Sequence, residues 1–438
     1  MSVAVNEKNA TEEVVALIQK SLAGSPLLQA QRVEALEAFK KLGRPAPKAE
    51  EYKHTPVTRI LQKNFNFEKP SSSGGEVNAG DFFIPGIEAN VIVLVNGIFK
   101  KEYCSIISPS SEIAIVELND ALGEKDSVAA SHSGQYADFK ADPFTAWNTA
   151  AWTHGVFIHV PDNTVVDKPV VIYNLHDARD GQVISANRNL IVVGKNSEVT
   201  VVEKFDSLGE HAHFSNSVTE AVVGPNSGLE LYSVQNDGGN RYQQGLTHIH
   251  QSDSSRVNTF TFTLNGKLVR NNLQLSLDGE GIESHMFGLY LVTGDTLADN
   301  HTVVDHRKPN SFSNEIYKGI MDGNSKGVFN GKIYVRPQAQ KTNAFQANRN
   351  ILLSDKAVVN TKPQLEIWAD DVKCSHGCTT GQLDEEAMFY LQTRGINKET
   401  ARAMMLYAFA IEILDNVKNK GLKEYFDQLV SERLHKNF

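Results

Sequence analysis

The sequence predicts a mainly β protein: a β-helix of short stacked strands, flanked by N-terminal and C-terminal α-helical regions. Three observations carry this. Between about residue 76 and residue 380, short Val/Ile/Leu/Phe/Tyr runs alternate with Gly, Asn, Asp and Ser turns, the texture of strands and tight connections. Those runs fall into two interleaved series with one shared period of about 28 residues, which implies a repeating coil with at least two strands per turn. Outside this stretch, both ends switch to the three-to-four-residue apolar spacing of helices.

The N-terminal elements come first. Thr11 is a candidate cap for a helix with Val14, Val15, Leu17 and Ile18 apolar. Pro26 opens a second helix carrying Leu27, Leu28, Val33, Leu36 and Phe39, which Gly43 and Pro45 stop. The run Pro70-Ser-Ser-Ser-Gly-Gly75 then reads as a linker too polar to pack. This sets expected boundaries at 1–75 for the helical region and linker, 76–380 for the β-helix and 381–438 for the C-terminal helices.

Within the β region, one series of runs begins near Leu190, Val218, Thr247, Leu273, His301, Val328 and Ala357. The other begins near Val199, Leu229, Val257, His285, Glu315, Ala344 and Val372. A single coil cannot bury its inward face alone, whereas stacked coils share a continuous core. The rival is a β-sandwich of regular hairpins, but sandwiches rarely hold so long a register. Direct self-similarity adds weak support, since Ala186-Asn-Arg-Asn-Leu190 recurs as Ala347-Asn-Arg-Asn-Ile351.

At the C-terminal end, Asp384 can cap a helix over Glu385–Thr393, with Gly395 as its stop. Asn397 opens a longer helix in which Ala401, Met404, Met405, Ala408, Ile411 and Leu414 are expected on one apolar face. Gly421 is expected to break it before a last amphipathic stretch, Leu422–Leu434. Such faces pack on their own domain or dock a partner, and packing is the expectation here.

Composition narrows the function. Of 438 residues, 41% are hydrophobic and 22% charged, an ordinary globular balance, and the net charge of −9 argues against a general electrostatic nucleic-acid binder. No apolar run approaches the length of a membrane span, and the start MSVAVNEKNATEEVV lacks the pattern of a secretory signal. With only Cys104, Cys374 and Cys378 as thiols, a reducing cytoplasm is expected rather than a disulfide framework.

Four motifs carry potential chemistry. No Gly-x-x-x-x-Gly-Lys-Ser/Thr loop occurs, so the chain is not itself a P-loop ATPase. Gly323-Asn-Ser325-Lys-Gly327 has the spacing of a nucleophile elbow but is followed by another β run, so it reads as turn chemistry. The pairs His211/His213 and His248/His250 would each place two imidazoles on one strand face, the second with Asp253 nearby, and a cupin-like metal site is one reading. Histidines lining a polar sheet face are the other. The segment Lys373-Cys-Ser-His-Gly-Cys-Thr-Thr-Gly381 brings two thiols and an imidazole within five residues where strand is expected to give way to turn. Thiolate and imidazole both ligate iron, but inert buried cysteines fit the spacing as well. Three donors at most would leave a metal open or completed by a second subunit.

Longer stretches resemble a known family. They are GRPAPKAEEYKHT at 43–55, VLVNGIF at 93–99, FTAWNTAAWTHGVFIHVP at 144–161 and SNEIYKGIMDGNSKGVFNGKIYV at 313–335. QKTNAFQANRNILLSDKAVVNTKPQLEIWADDVKCSHG follows at 340–377 and GQLDEEAMFYLQTRGI at 381–396. Together they resemble the SufB/SufD family of the SUF iron–sulfur cluster assembly system, with Lys-Cys-Ser-His-Gly in the SufD form. The resemblance implies a right-handed parallel β-helix and a non-catalytic scaffold. It implies a complex with SufB, met through the β-helices, and with the SufC ATPase, docked on the C-terminal helices. It assigns His376 to the SufB interface as a ligand of a transient, nascent Fe–S cluster, with Cys374 as ligand or neighbour, and no tightly bound cofactor. It leaves open a reduced flavin on the complex and a homodimer of the isolated chain. Cys378 stands where the family often has alanine and receives no role. Tyr52 stands where tryptophan is common, which reads as a packing substitution. A polysaccharide-cleaving β-helix enzyme, suggested by fold alone, would want grouped carboxylates in register, and none recur.

Overall fold

The computed structural model describes residues 2–23, 28–46, 49–69, 71–72, 74–123 and 127–437. Two sheets face each other across an apolar lumen, and the chain passes from one to the other on each coil. Sheet A has ten strands, in spatial order Ile98–Phe99, Asn90–Val95, Val170–Asp177, Glu198–Leu208, Gly228–Gln235, Arg256–Thr263, Glu283–Val292, Phe312–Met321, Asn343–Leu352 and Lys373–Gly381. Sheet B has nine: Ala114–Glu117, Val156–Val160, Val183–Val193, His213–Val223, Arg241–Gln251, Leu268–Leu277, Leu297–His306, Lys326–Val335 and Val358–Ile367. Every neighbouring pair is parallel except the outermost at the N-terminal edge of each sheet. Hairpins would make neighbours antiparallel, so the sandwich is excluded and the parallel β-helix stands.

The lumen is filled by one residue in two along each strand, as the pleat requires. Ile92, Ile172, Val201 and Leu231 from sheet A meet Ile158, Ile191, Ala221 and Ile249 from sheet B in one buried cluster. Corners need left-handed backbone, and asparagine adopts it at low cost. Asn163, Asn196 and Asn226 have φ of 60°, 55° and 56°, and their side-chain amides hydrogen-bond from coil to coil at 2.8 and 2.9 Å.

Both outer faces are covered. Phe39, Phe65 and Phe67 of the N-terminal region, with Phe144 and Trp147 of a helix over Pro143–Ala151 that interrupts the expected β region, pack on Phe214 and Tyr242 of sheet B. Leu406, Ala410, Phe426 and Val430 from the C-terminal helices pack on Tyr232, Phe260 and Phe262 of sheet A. Tyr52 is buried, donates to Asp142 and lies under the Arg270 guanidinium, 4.2 Å from the ring centroid, which agrees with a packing role.

Several expectations need correction. Thr11 does not open the helix but lies within it, since the first helix runs over Ser2–Ala23. Pro26 and Leu27 lie outside the described residues, and the second helix is Gln29–Leu42, ended as expected by Gly43 at φ 66°. In the polar linker, Ile184 N–H donates to Ser71 Oγ, Ser72 N–H to Gln182 O, and Gly75 N–H to Asp177, so polarity here makes attachment rather than freedom. The caps Asp384 and Asn397 accept backbone N–H groups as expected. The face of helix Lys398–Leu414 differs, however: Ala401, Ala403, Leu406, Ala410, Ile413 and Leu414 are buried, whereas Met404 is 47% exposed. Gly421 breaks nothing, because the chain turns before it and Lys420–Asn437 is one helix. Among the described residues, no helix is long and apolar enough to cross a membrane.

Candidate functional site

The last coil differs from those beneath it. Lys373–Gly381 and Val358–Ile367 are the terminal strands of the two sheets, each hydrogen-bonded on one side only. The Cys374-Ser-His376-Gly-Cys378 segment is therefore strand throughout, not the strand-to-turn junction expected. Its register is fixed by the coil below: Cys374 stands over Ala344, His376 over Gln346 and Cys378 over Asn348. Parallel partners share a face, and Ala344 belongs to the lumen core. All three donors thus face the lumen, at the end where no further coil covers them.

Their environments are graded. Cys374 is half-buried against the core, and burial pushes its thiol up from its ordinary value. A thiol in that state is a poor nucleophile until a metal or a cation favours the thiolate. His376 and Cys378 are exposed. The opposing strand turns Val359, Thr361, Pro363 and Leu365 to the same lumen, in register with Gly327, Phe329, Gly331 and Ile333. None of these is a thiol, imidazole or carboxylate, so the chain supplies three donors on one side and none opposite.

The other motifs resolve into structure. His211 is exposed and His213 buried, so that pair does not share an environment. His248 and His250 lie on one outer face beneath the Tyr136 ring, with His248 bonded to Ser276 at 3.1 Å. Asp253 instead accepts the Glu280 N–H in a corner. Ser325 is buried in a turn and donates to Val292 O, in agreement with the turn reading. Among the described residues one group of three brings its ligand atoms within 4.8 Å of one another, the buried trio His176, His213 and Asp237. There the two imidazoles stack face to face and Arg241 lies 3.0 Å from Asp237, which supplies the positive charge a metal would bring. A groove of about 850 Å³ runs between the N-terminal region and sheet B, but its cations are paired: Arg307 and Arg336 share Asp305, and Lys332 holds Glu51.

A second exposed feature lies on the C-terminal helices. Phe389 and Tyr390 are 68% and 57% exposed, and beside them a groove of about 500 Å³ is lined by Leu353, Asp355, Met388, Lys398 and Arg402. Large aromatics in water at a groove rim mark an interaction surface more often than a packing fault. Sequence reasoning missed two lumen residues beneath His376, namely Gln346 and Glu315. The strand series alone misses them, because a step of about 28 residues back from His376 falls on Asn348, whereas the register pairs His376 with Gln346 and Gln346 with Glu315.

The structure is a parallel β-helix with helical flanks, two free strand edges and a row of thiol and imidazole donors at its end. The chain belongs to the SufBD family. Its residues 175–409 match the family model described as SUF system FeS cluster assembly, SufBD core domain, and residues 12–172 match the SufBD protein N-terminal region. It is 30% identical over 98% of its length to an iron–sulfur cluster assembly SufBD family protein of Synechocystis sp., covering 96% of that protein. It is 28% identical over 92% of its length to the iron–sulfur cluster assembly protein SufD of Escherichia coli, covering 92% of it. The SufD of Bacillus subtilis is 29% identical over 66% of this chain and 65% of its own. The chain is thus an iron–sulfur cluster assembly protein of the SUF system.

Proposed function

We propose that this chain is the SufD-type scaffold subunit of a SUF assembly complex. In this reading it pairs with SufB through the open end of its β-helix and with the SufC ATPase through its C-terminal helices. His376, accompanied by Cys374, presents donors to a nascent Fe–S cluster held between the two β-helices. The single observation that carries the reading is the row Cys374, His376 and Cys378, aimed into the lumen at an end with free strand edges and no ligand opposite. Free edges are ready templates for pairing with another chain, and a one-sided donor row calls for a partner that brings the rest. The exposed Phe389 and Tyr390 support docking on the helices. The cluster is cargo, so the chain's own part is to orient, shield and release it rather than to turn over a substrate.

The test is His376→Ala in the complex co-purified with SufB-type and SufC-type partners. Bound iron and acid-labile sulfide are expected to fall at least several-fold while the subunit ratio stays constant. Unchanged iron and sulfide would sink the assignment.

A further inference from the structure

Three lumen positions stack in register at the open end: Glu315, Gln346 and His376. Each lies one strand spacing, about 4.8 Å, beyond the last. Gln346 is 3% exposed, and its amide nitrogen donates to Glu315 Oε2 at 2.8 Å. The side chain has room because the opposing strand carries glycine: a Cβ on Gly331 would lie 2.1 Å from Gln346 Nε2 and 2.9 Å from Phe329 Cζ. The amide is therefore wedged in place. Its carbonyl oxygen, Oε1, is buried and has no hydrogen-bond partner among the described residues. An unsatisfied buried acceptor is destabilising, so the group beside it matters, and the next side chain along the stack is the His376 imidazole.

We propose that Gln346 is a positioning residue for His376: the imidazole, which makes no bond to this oxygen in the structure, turns inward so that the carbonyl oxygen accepts one ring N–H and the other nitrogen is presented, bare, to the open end. This rests on the reading of His376 as a cluster ligand. A metal-binding imidazole needs one unprotonated nitrogen, and a hydrogen bond from the opposite nitrogen selects both tautomer and ring angle. An amide suits this task better than a carboxylate. It accepts the N–H without placing a negative charge beside the ring, which would favour the protonated, non-ligating imidazolium. Glu315 completes the line from below by fixing which end of the amide is free. A carboxyl, a carboxamide and an imidazole thus form one column running from the buried lumen to the exposed rim.

The experiment compares Gln346→Met, which keeps length and volume but removes the acceptor, with Gln346→Glu, which keeps an acceptor. In the full chain labelled with ¹⁵N-histidine, the His376 signal is identified by its loss in His376→Ala, and its two nitrogen shifts report the tautomer. One tautomer is expected in the parent, the mixture of a free imidazole in Gln346→Met, and a larger imidazolium fraction in Gln346→Glu. In the co-purified complex, Gln346→Met is expected to retain about tenfold less iron and sulfide. A single tautomer persisting in Gln346→Met would overturn the positioning role, whatever the cluster content. Full cluster retention in His376→Ala would instead overturn the ligand reading, and the tautomer result still judges the hydrogen bond. A matched thermal unfolding midpoint for Gln346→Met and parent excludes a folding defect as the cause.

Discussion

At its first coils the β-helix turns Ile92, Ile158, Ile172 and Ile191 inward, all 0% exposed, and short antiparallel strands finish both sheet edges. At its last coil the same inward positions carry Cys374, His376 and Cys378 opposite Pro363 and Leu365, and neither edge is finished. Buried polar side chains occur in both halves of the lumen, but lower down they are satisfied: Glu203 stands over Ile172 and accepts from Asn189 and Thr219. Near the open end Glu315 and Gln346 bond each other, and each keeps an oxygen without a partner among the described residues. Aliphatic packing would suit this sequence's own folding better, because buried polar groups gain little net stability even when satisfied. Departures from local consistency concentrate at functional sites. The early coils serve the fold; the last serves whatever sits on it.

The largest expected effect breaks this contrast through a pair of arginines. Arg188 in the early body is 1% exposed and bonds Glu220 at 2.8 Å, with Asn148 and Thr149 on its other nitrogen. Arg349 near the open end reaches Glu412 at 3.1 Å across the surface. Arg188→Met leaves Glu220 buried without its cation and is expected to cost about 3–5 kcal/mol. Arg349→Met is expected to cost about 0–1 kcal/mol. Urea unfolding of the two variants measures both, and equal costs would end the distinction between body and rim.

These two arginines also show what could be read from the sequence. Both sit in an Ala-Asn-Arg-Asn tetrapeptide whose recurrence suggests one repeat, yet the first copy lies in sheet B and the second in sheet A. The local words match, but their faces and partners do not. The strand period was legible because corners recur as Gly, Asn and Ser: starts expected at Val199, Leu229 and Val257 fall within one residue of Glu198, Gly228 and Arg256. The start expected at Leu190 is instead Val183, since Ser185, Asn187 and Arg188 look unlike a strand core until their buried partners are known. The helix face around Met404 was misread for a related reason. Helical spacing fits two neighbouring stripes, and only the aromatic surface of sheet A selects between them. The donor row could be found by composition, but its orientation, its uncovered end and the column below it required the register.

A smaller effect sharpens the comparison of the two ends directly. Ile172→Ala in the closed coils is expected to cost about 2–5 kcal/mol, as truncation of a fully buried side chain leaves a cavity. Leu365→Ala on the last strand, half-buried at the rim, is expected to cost about 1 kcal/mol in the isolated chain. Denaturant titration at several protein concentrations decides this. A cost for Leu365→Ala that rises with concentration would mean that a second copy covers the rim in solution.

The smallest effect concerns the charge held under the open end. Burial pushes the Glu315 carboxyl up from its ordinary value to about 7, and its hydrogen bond from Gln346 offsets this only in part. The folded chain therefore holds this proton more tightly than the unfolded chain does. Its favourable contribution is complete below the ordinary carboxyl value of about 4.3 and is lost as pH rises towards the folded value. Between pH 5 and pH 7 that loss is on the order of 2 kcal/mol. Glu315→Gln keeps the shape and an acceptor for Gln346 but cannot ionise, so the difference in stability between variant and parent should grow in the variant's favour across that window. Urea unfolding of both proteins at pH 5, 6 and 7 reads it. A constant difference would place the ionised carboxylate in a better-solvated lumen than the geometry gives it, and the polar column would then extend to water rather than end at Glu315.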